Sequence, residues 1–287
     1  MKDYFIKFGK LMHYLRVNKF LDQNELNNST RIFFSHEVRI DHYNNYEKNI
    51  QYIIDNSNVL NPQEFFENLN KGIDFKGKNT MFSFDDGLLS SYNFAKKVLN
   101  DYKIKAIFFI PTYILNIKSR RDMKKFVINN IHYGTLPSNV ITKYDYELMN
   151  IEHLEDLCSD GHMVFPHTHN HIFIKDIKNQ VDVKQELVIP QQIIQKITNN
   201  TVKAFAFPVG TERQVSEYAY NNIKEYYDYC FTAFSGLITK NSDYHKLYRS
   251  HLPANAPSNY LKMLLDGVYD LFYKFKMNRI SSLVDKI

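Results

Sequence analysis

NTMFSFDDG, residues 79–87, is an apolar run that ends in two adjacent aspartates and a glycine. A run of this kind favours a β-strand, and Asp and Gly after it are typical of a turn. A turn alone would explain Asp85 and Asp86. Two neighbouring carboxylates repel each other, however, and a fold tolerates them best where a cation or a proton neutralises one of them. The strand end is therefore also a candidate chemical site.

Similar β-rich runs recur along the chain, followed by polar residues and helix-like segments, which is typical of βα units around a parallel sheet. The other runs are 31–38, 104–111, 162–169, 202–209, 229–234 and 246–252. Helices are predicted at 46–56, 63–71, 88–101, 119–131, 143–159, 174–197, 212–225 and 257–277, with Pro190 breaking or kinking the sixth. Active sites of parallel α/β folds lie at the carboxyl ends of strands, where this scheme places the aspartate pair.

The composition predicts one main domain in a reducing compartment. The 287 residues are 44% hydrophobic, which suits a single α/β domain of barrel size. The net charge of +5 is spread along the chain, so it does not indicate nucleic-acid binding and favours anionic substrates only weakly. Two distant cysteines, no continuous apolar leader, and an apolar stretch at 106–115 too short for a bilayer predict a soluble, cytoplasmic protein.

A histidine cluster supplies partners for the aspartates. His162, His167, His169 and His171 lie in one short segment, in which Pro166 argues against a continuous helix. The alternative is ordinary hydrogen-bonded histidines, but neutral imidazoles at a strand end are good zinc ligands. One carboxylate and two imidazoles leave coordination positions open for activating water. Asp86 would then be a ligand and Asp85 a general base.

Three motifs resemble those of a known family. SFDDG at 83–87, HTxxH at 167–171 and FAFPxG at 205–210 are similar, in order and separation, to the first three motifs of the polysaccharide deacetylases, carbohydrate esterase family four. The resemblance spans roughly residues 30 to 255. It implies an α/β fold, a distorted (β/α) barrel as a single main domain at 30–255. A helical extension is then expected at 1–29 and a helical segment at 256–287.

The resemblance also implies roles for individual residues. The family consists of metal-dependent hydrolases of N-acyl or O-acetyl groups on sugars. Asp85 matches its catalytic base, and the ligands of a divalent ion, with zinc expected, are matched by Asp86, His167 and His171. His169 then lies behind the ligands. The Phe207 main-chain N–H is expected to hold the oxyanion. His251 is the preferred general acid, with His36 as the alternative.

Several alternatives remain open from the sequence. His167 and His169 could form the H-x-H pair of an amidohydrolase or phosphoesterase barrel. An O-acetyl esterase would share every motif, and a non-catalytic glycan-binding member is a third possibility. Arg213 and Arg249 could orient a carboxylate or bind a substrate phosphate, or lie on the surface.

The expected partner is an N-acylated amino sugar. Because no export segment is evident, an intracellular nucleotide sugar or lipid-linked precursor of a surface polysaccharide, such as O-antigen or capsule, is expected rather than cell-wall polymer. Apolar residues at helical spacing, interspersed with basic ones, at 4–15 and 261–277 predict core-facing helices, with peripheral contact to an anionic membrane as the alternative. The sequence does not set the oligomeric state.

Overall fold

The computed structural model describes residues 26–137, 146–211 and 214–270. Every pairing between its strands is parallel. The strands are β1 Asn28–Ser35, β2 Asn58–Val59, β3 Gly77–Phe84, β4 Ala106–Ile110, β5 Met163–Pro166, β6 Ala204–Ala206, β7 Tyr229–Phe231 and β8 Ser250–His251. The predicted runs therefore correspond to strands, although the five runs from 104–111 onward are longer than β4 to β8, and the sequence does not predict β2.

Helices alternate with these strands, as the βα pattern predicts. They are α1 Tyr43–Asn56, α2 Pro62–Asn70, α3 Leu89–Phe94, α4 Arg120–Phe126, α5 Ile151–Ser159, α6 Gln180–Val183, α7 Ile189–Thr198, α8 Glu217–Tyr226 and α9 Ser258–Leu265. The π turns Ala95–Leu99, Val127–Ile131 and Lys184–Val188 continue α3, α4 and α6. Short 3₁₀ turns occupy Ile40–His42, Thr112–Asn116 and Ile174–Asp176.

The helices α5 and α6 begin at later residues than the sequence predicts, and a capping residue sets the start of each helix. Asn150 caps α5 by accepting the N–H of His153, while the His153 ring accepts the Asn150 N–H, so this helix starts at Ile151. Asn179 caps α6 by accepting two N–H groups of the first turn. Pro190 lies in the first turn of α7 and does not end the helix. The π turn Lys184–Val188 widens the backbone just before it.

The strands close into a distorted ring. The main sheet has the order β5-β4-β3-β1-β8, with β2 beside β3, and β6 pairs with β7. A bridge between Phe231 and Leu247 joins β7 to the chain leading into β8. Between β5 and β6 the described residues show no strand pairing, and His167 Nδ1 instead bonds Ala206 O at 2.8 Å. This confirms the predicted α/β fold, a distorted (β/α) barrel.

The barrel interior is filled with aromatic and aliphatic side chains. Phe66 of α2 packs against Phe165, Tyr229 and Phe231, with ring centroids 4.8 to 6.2 Å apart. Because α2 follows β2, which pairs with the amino end of β3, it fills the barrel from that end. Each fully buried Phe contributes about 2–3 kcal/mol of transfer free energy. The carboxyl ends of the strands lie at the other end of the barrel from this helix.

The ends of the chain are described only in part. Residues 1–25 and 271–287 lie outside the described residues, as do the predicted helix at 4–15 and the end of that at 261–277. Helix α9 buries Leu261, Leu264 and Leu265 on one face, so this part of the C-terminal segment faces the core. No helix in the described ranges combines the length and apolar character that crossing a membrane requires.

Candidate active site

Three side chains from the carboxyl ends of the sheet meet at one point. Asp86 follows β3, His167 follows β5, and His171 lies in the loop beyond it. Asp86 Oδ1 lies 3.1 Å from His171 Nε2 and 3.7 Å from His167 Nε2. All three side chains are buried. Within the described part of the chain, no other group of His, Cys, Asp and Glu has a spacing suited to a metal ion.

Unusual backbone conformations bring these side chains together. Asp86 has a φ of 73°, Thr168 of 60° and His171 of 57°. Non-glycine residues at positive φ are uncommon and cost of order 1 kcal/mol or more, so the surrounding structure must hold them there. The sharp turns they make direct Asp86 and His171 back over the strand ends. Local strain and the candidate site therefore coincide.

The hydrogen bonds behind the two imidazoles leave one nitrogen of each ring directed at Asp86. His167 Nδ1 donates to Ala206 O at 2.8 Å, and His171 Nδ1 donates to Asn130 O at 2.9 Å. A carbonyl oxygen only accepts, so Nδ1 carries the proton and a neutral ring keeps a lone pair on Nε2. Burial lowers the pKa of His167 to about 4, which keeps that ring neutral. Burial would also lower the pKa of His171, but the charge of Asp86 outweighs it and the pKa is raised, so a cation bound here would take the place of the His171 proton.

The donor set of Asp86, His167 and His171 fits a divalent ion. Asp86 Oδ1 is buried and accepts no hydrogen bond from the described residues. Burial alone would raise the pKa of Asp86, but nearby imidazoles outweigh it and the pKa is lowered, so the carboxylate is ionised. A buried anionic oxygen without a donor, facing two imidazole nitrogens, is what a cation such as zinc would satisfy.

Asp85 is held in a different way from its neighbour. Its carboxylate receives two hydrogen bonds from Arg249, at 2.6 Å from Nη1 and 2.9 Å from Nη2. The guanidinium is buried between the rings of Phe34 and Phe109, 4.7 and 5.0 Å from their centroids. Burial would raise the pKa of Asp85, but Arg249 together with His167 and His36 outweighs it and the pKa is lowered. Asp85 is thus an oriented, ionised carboxylate.

A cavity of about 560 Å³ opens over these groups. One wall comes from the segment between β4 and α5, which contributes Ile131, His132, Leu136 and Tyr146. The same segment is tied to the histidine loop, since Tyr113 N–H donates to His169 O and Asn130 O accepts from His171. A cavity with mixed apolar walls and a few converging polar groups is suited to a small polar ligand.

A family model described as polysaccharide deacetylase matches residues 72–226. The match covers more than half of the chain and contains Asp85, Asp86, His167 and His171. The chain belongs to the polysaccharide deacetylase family. It is thereby a hydrolase of the carbohydrate deacetylase class, a family acting on N-acetyl sugars, and the resemblance of its three motifs is confirmed. No curated protein matched the sequence.

Solved structures of deacetylases share the fold at low identity. A polysaccharide deacetylase from Bacillus cereus is 17% identical with a TM-score of 0.62, covering 82% of this chain and 69% of its own. PplD from Streptococcus pyogenes, solved with acetate, has 17% identity and a TM-score of 0.62, covering 82% and 98%. IcaB from Ammonifex degensii has 16% identity and a TM-score of 0.63, covering 83% and 97%. These likenesses establish the barrel.

Both histidines considered as general acid line the deacetylase cavity. The rings of His36 and His251 lie 5.4 Å apart, and each packs against Phe34, because β1 and β8 are neighbours. They differ in exposure, since His36 is half-buried and His251 is exposed. Burial raises the pKa of Asp86. Among the neighbouring groups, His36 lowers this pKa the most. The charge of His36 also lowers the pKa of Asp85.

The main-chain role predicted for Phe207 does not fit the structure. Its N–H donates to Phe231 O at 3.0 Å, continuing the pairing of β6 with β7, so it is not available to an oxyanion. Val209 also lines the cavity, has a φ of 62°, and its N–H has no acceptor among the described residues. Valine rarely adopts positive φ, so this turn could not be foreseen from the residue type.

The other two histidines of the deacetylase cluster lie outside the metal group. His169 Nδ1 bonds Thr112 Oγ1 at 2.8 Å, behind the ligands, so the H-x-H alternative with His167 does not match the geometry. His162 precedes β5, at the opposite end of the strand from His167, and its Nδ1 accepts the Ala106 N–H at 3.0 Å. Arg213, the other arginine considered, lies outside the described residues.

His162 should make the stability of the deacetylase depend on pH. Burial lowers its pKa to about 4 from 6.5. The unfolded chain therefore binds more protons between these values, and stability is lost as the pH falls from 6.5 towards 4. The contribution is up to about 3 kcal/mol. In His162→Gln, whose amide oxygen still accepts from Ala106, urea unfolding at pH 7 and 4.5 should show a correspondingly smaller difference than in the parent. Equal differences would contradict this.

Proposed function

We propose that this deacetylase is metal-dependent and removes an N-acyl group, acetyl or formyl, from an amino sugar. The observation that carries the proposal is the convergence of Asp86, His167 and His171 on one point, with the ionised Asp85 next to them. The cavity above them gives a substrate access to both carboxylates. The intact set of acidic and imidazole groups supports catalysis over glycan binding alone.

Each group has a chemical task in this reaction. A divalent ion held by Asp86, His167 and His171, with zinc expected from this donor set, would supply Lewis acidity toward water and an acyl oxygen. Asp85 accepts the proton of the attacking water, and Arg249 fixes the direction of its carboxylate. We assign to the Val209 N–H, whose residue lines the cavity, the hydrogen bond to the acyl oxygen as negative charge develops on it. An imidazole on the cavity wall protonates the departing nitrogen.

We assign that proton to His36 in preference to His251. Both rings line the cavity with Asp85 and Asp86, but His36 is half-buried whereas His251 is exposed, so His36 is the ring better shielded from solvent. His36→Ala should lower kcat by about a hundredfold or more, because general acids contribute about 10²–10⁴. His251→Ala should cost less than about tenfold by the same scale. The reverse ranking would return the role to His251.

The substrate that we propose is an amino sugar carried by a nucleotide or a lipid, used in the cytoplasm to build a surface polysaccharide. The mild positive charge, +5, supports a phosphate-bearing substrate, and the two cysteines are unpaired, as they would be in a reducing compartment. The polysaccharide deacetylase relatives support a sugar as the part that enters the cavity. The phosphate would lie toward the cavity mouth, where solvent reaches it.

The test is a release assay with the purified protein. Uridine diphosphate N-acetylglucosamine, its N-formyl counterpart, a lipid-linked N-acetylglucosamine and N-acetylglucosamine oligosaccharides are each incubated with the protein, and free amine is measured. We expect amine from a phosphate-bearing substrate, loss of activity with a chelator, and recovery with zinc. Release of acetate from an O-acetyl sugar without amine would instead favour the esterase, and binding without release the glycan-binding alternative.

A further inference from the structure

A buried carboxylate that does not line the cavity holds the loop that carries His171. Glu186 accepts the His169 N–H at 3.0 Å and the Asn170 N–H at 2.9 Å on one oxygen, and the Asn170 side-chain amide at 2.6 Å on the other. Glu186 is 4% exposed. Hydrogen bonds to a charged acceptor are roughly twice as strong as neutral ones, so this carboxylate is a firm anchor.

The loop needs such an anchor because of its backbone shape. Thr168 and His171 both have positive φ, so the two residues between them turn their N–H groups to one side. A buried N–H without an acceptor costs about 1–3 kcal/mol, and the described residues offer Glu186 as the acceptor for both. A second hydrogen bond, from His171 Nδ1 to Asn130 O, fixes the ring itself. The ligand is thus fixed between two supports.

The turn that carries Glu186 lies just before Pro190. Glu186 belongs to the π turn Lys184–Val188, in which the Ile189 N–H donates to Lys184 O, five residues back. Proline has no N–H, and its ring crowds the carbonyl four residues earlier, which here is that of Glu186. A widened turn relieves this crowding and is a frequent feature near functional sites. Glu186 is therefore carried on a widened turn that accommodates this proline.

We propose that Glu186, set in place by the π turn before Pro190, is a positioning residue that holds the His171 loop in its metal-binding conformation. The inference rests on the proposed metal dependence and adds the element that prepares the site. It does not place Glu186 in contact with the ion or the substrate. Its effect is conveyed through the main chain of residues 169 and 170 to the His171 ring.

The experiment measures zinc affinity of the metal-free protein, by competition with a chromophoric chelator, and the visible absorption of the cobalt(II) form. Glu186→Ala should bind zinc about 10–100-fold more weakly than the parent, the usual cost of removing an outer support of a ligand. The cobalt band should shift as the His171 ring moves. Glu186→Gln keeps one accepting oxygen, so its zinc affinity should lie between that of the parent and that of Glu186→Ala. Pro190→Ala should also weaken zinc binding, by allowing the turn to narrow.

The matched control is Asp270→Asn, which disturbs another buried network without touching the loop. Asp270 pairs with Arg31, Nη1 to Oδ1 at 2.9 Å, so its loss should lower the unfolding midpoint but leave zinc affinity and the cobalt spectrum unchanged. If Glu186→Ala does not fold, Glu186→Gln decides, and affinity within twofold of the parent overturns the inference. A parent that binds no zinc overturns the proposed metal dependence instead, which separates the two failures.

Discussion

Replacing Asp85 by Asn should lower kcat by about a thousandfold while zinc stays bound with little change in affinity. General bases contribute about 10²–10⁴ to rate, and an amide cannot accept the proton of water in this way. The candidate ligands Asp86, His167 and His171 are untouched by the change. Amine release in the substrate assay gives kcat, and chelator competition on the same preparation gives the affinity for zinc.

The effect on folding must be separated from the effect on chemistry. Arg249 is buried, and the new amide would offer it one accepting oxygen in place of a charged pair, so Asp85→Asn should also lose about 3 kcal/mol of stability or more. Arg249→Lys is the matched control, because it keeps the positive charge and the carboxylate but loses the paired geometry. We expect it to retain more activity than Asp85→Asn. Unchanged turnover in Asp85→Asn would remove Asp85 from the base role.

The ends of the longer strands are predictable because their signals are local. The strand β3 ends in the mainly apolar MFSF, β5 is MVFP, and polar residues follow each of them directly. The parallel arrangement then places Asp86 and His167 at one edge without further information. The sequence therefore predicts the grouping of acidic and imidazole side chains that the structure shows, although it does not set their distances.

Contacts between distant parts of the chain are not predictable in the same way. The sequence suggests Arg249 as a substrate-binding group, yet its carboxylate partner is Asp85, 164 positions earlier. Because residues 246–252, KLYRSHL, also contain Lys, Ser and His, the sequence does not mark Arg249 as buried. The prediction for the Phe207 N–H fails for another reason. It depends on which N–H the strand pairing uses, and that is set by the register of β6 on β7.

The support for the histidine loop leaves almost no trace in the sequence. Glu186 lies in a helical stretch of mixed polar and apolar residues and follows the exposed Lys184 and Gln185, so nothing distinguishes it from a surface glutamate. Only Pro190 marks the region, and a proline in a helical pattern predicts a kink without saying what the kink orients. Positions that act through the backbone of other residues require the folded chain to be recognised.

Replacing His171 by Ala should weaken zinc binding by more than about a hundredfold, beyond the range expected for removing an outer support. The ring is buried beside Asp86. Among the described residues, no histidine besides His167 and His171 is grouped with Asp86, so none can replace His171 as a ligand. Zinc content after dialysis and chelator competition measure the loss. Activity should fall in parallel.

His169→Ala is the comparison that gives this result its meaning. His169 lies in the same loop and is also buried, but its ring bonds Thr112 Oγ1, and its main-chain N–H to Glu186 survives the change. Zinc affinity should therefore fall by less than about tenfold, below the loss for an outer support of a ligand. If His169→Ala abolished binding and His171→Ala spared it, the metal would use the H-x-H pair, and the division of the histidines argued from their Nδ1 partners would be wrong.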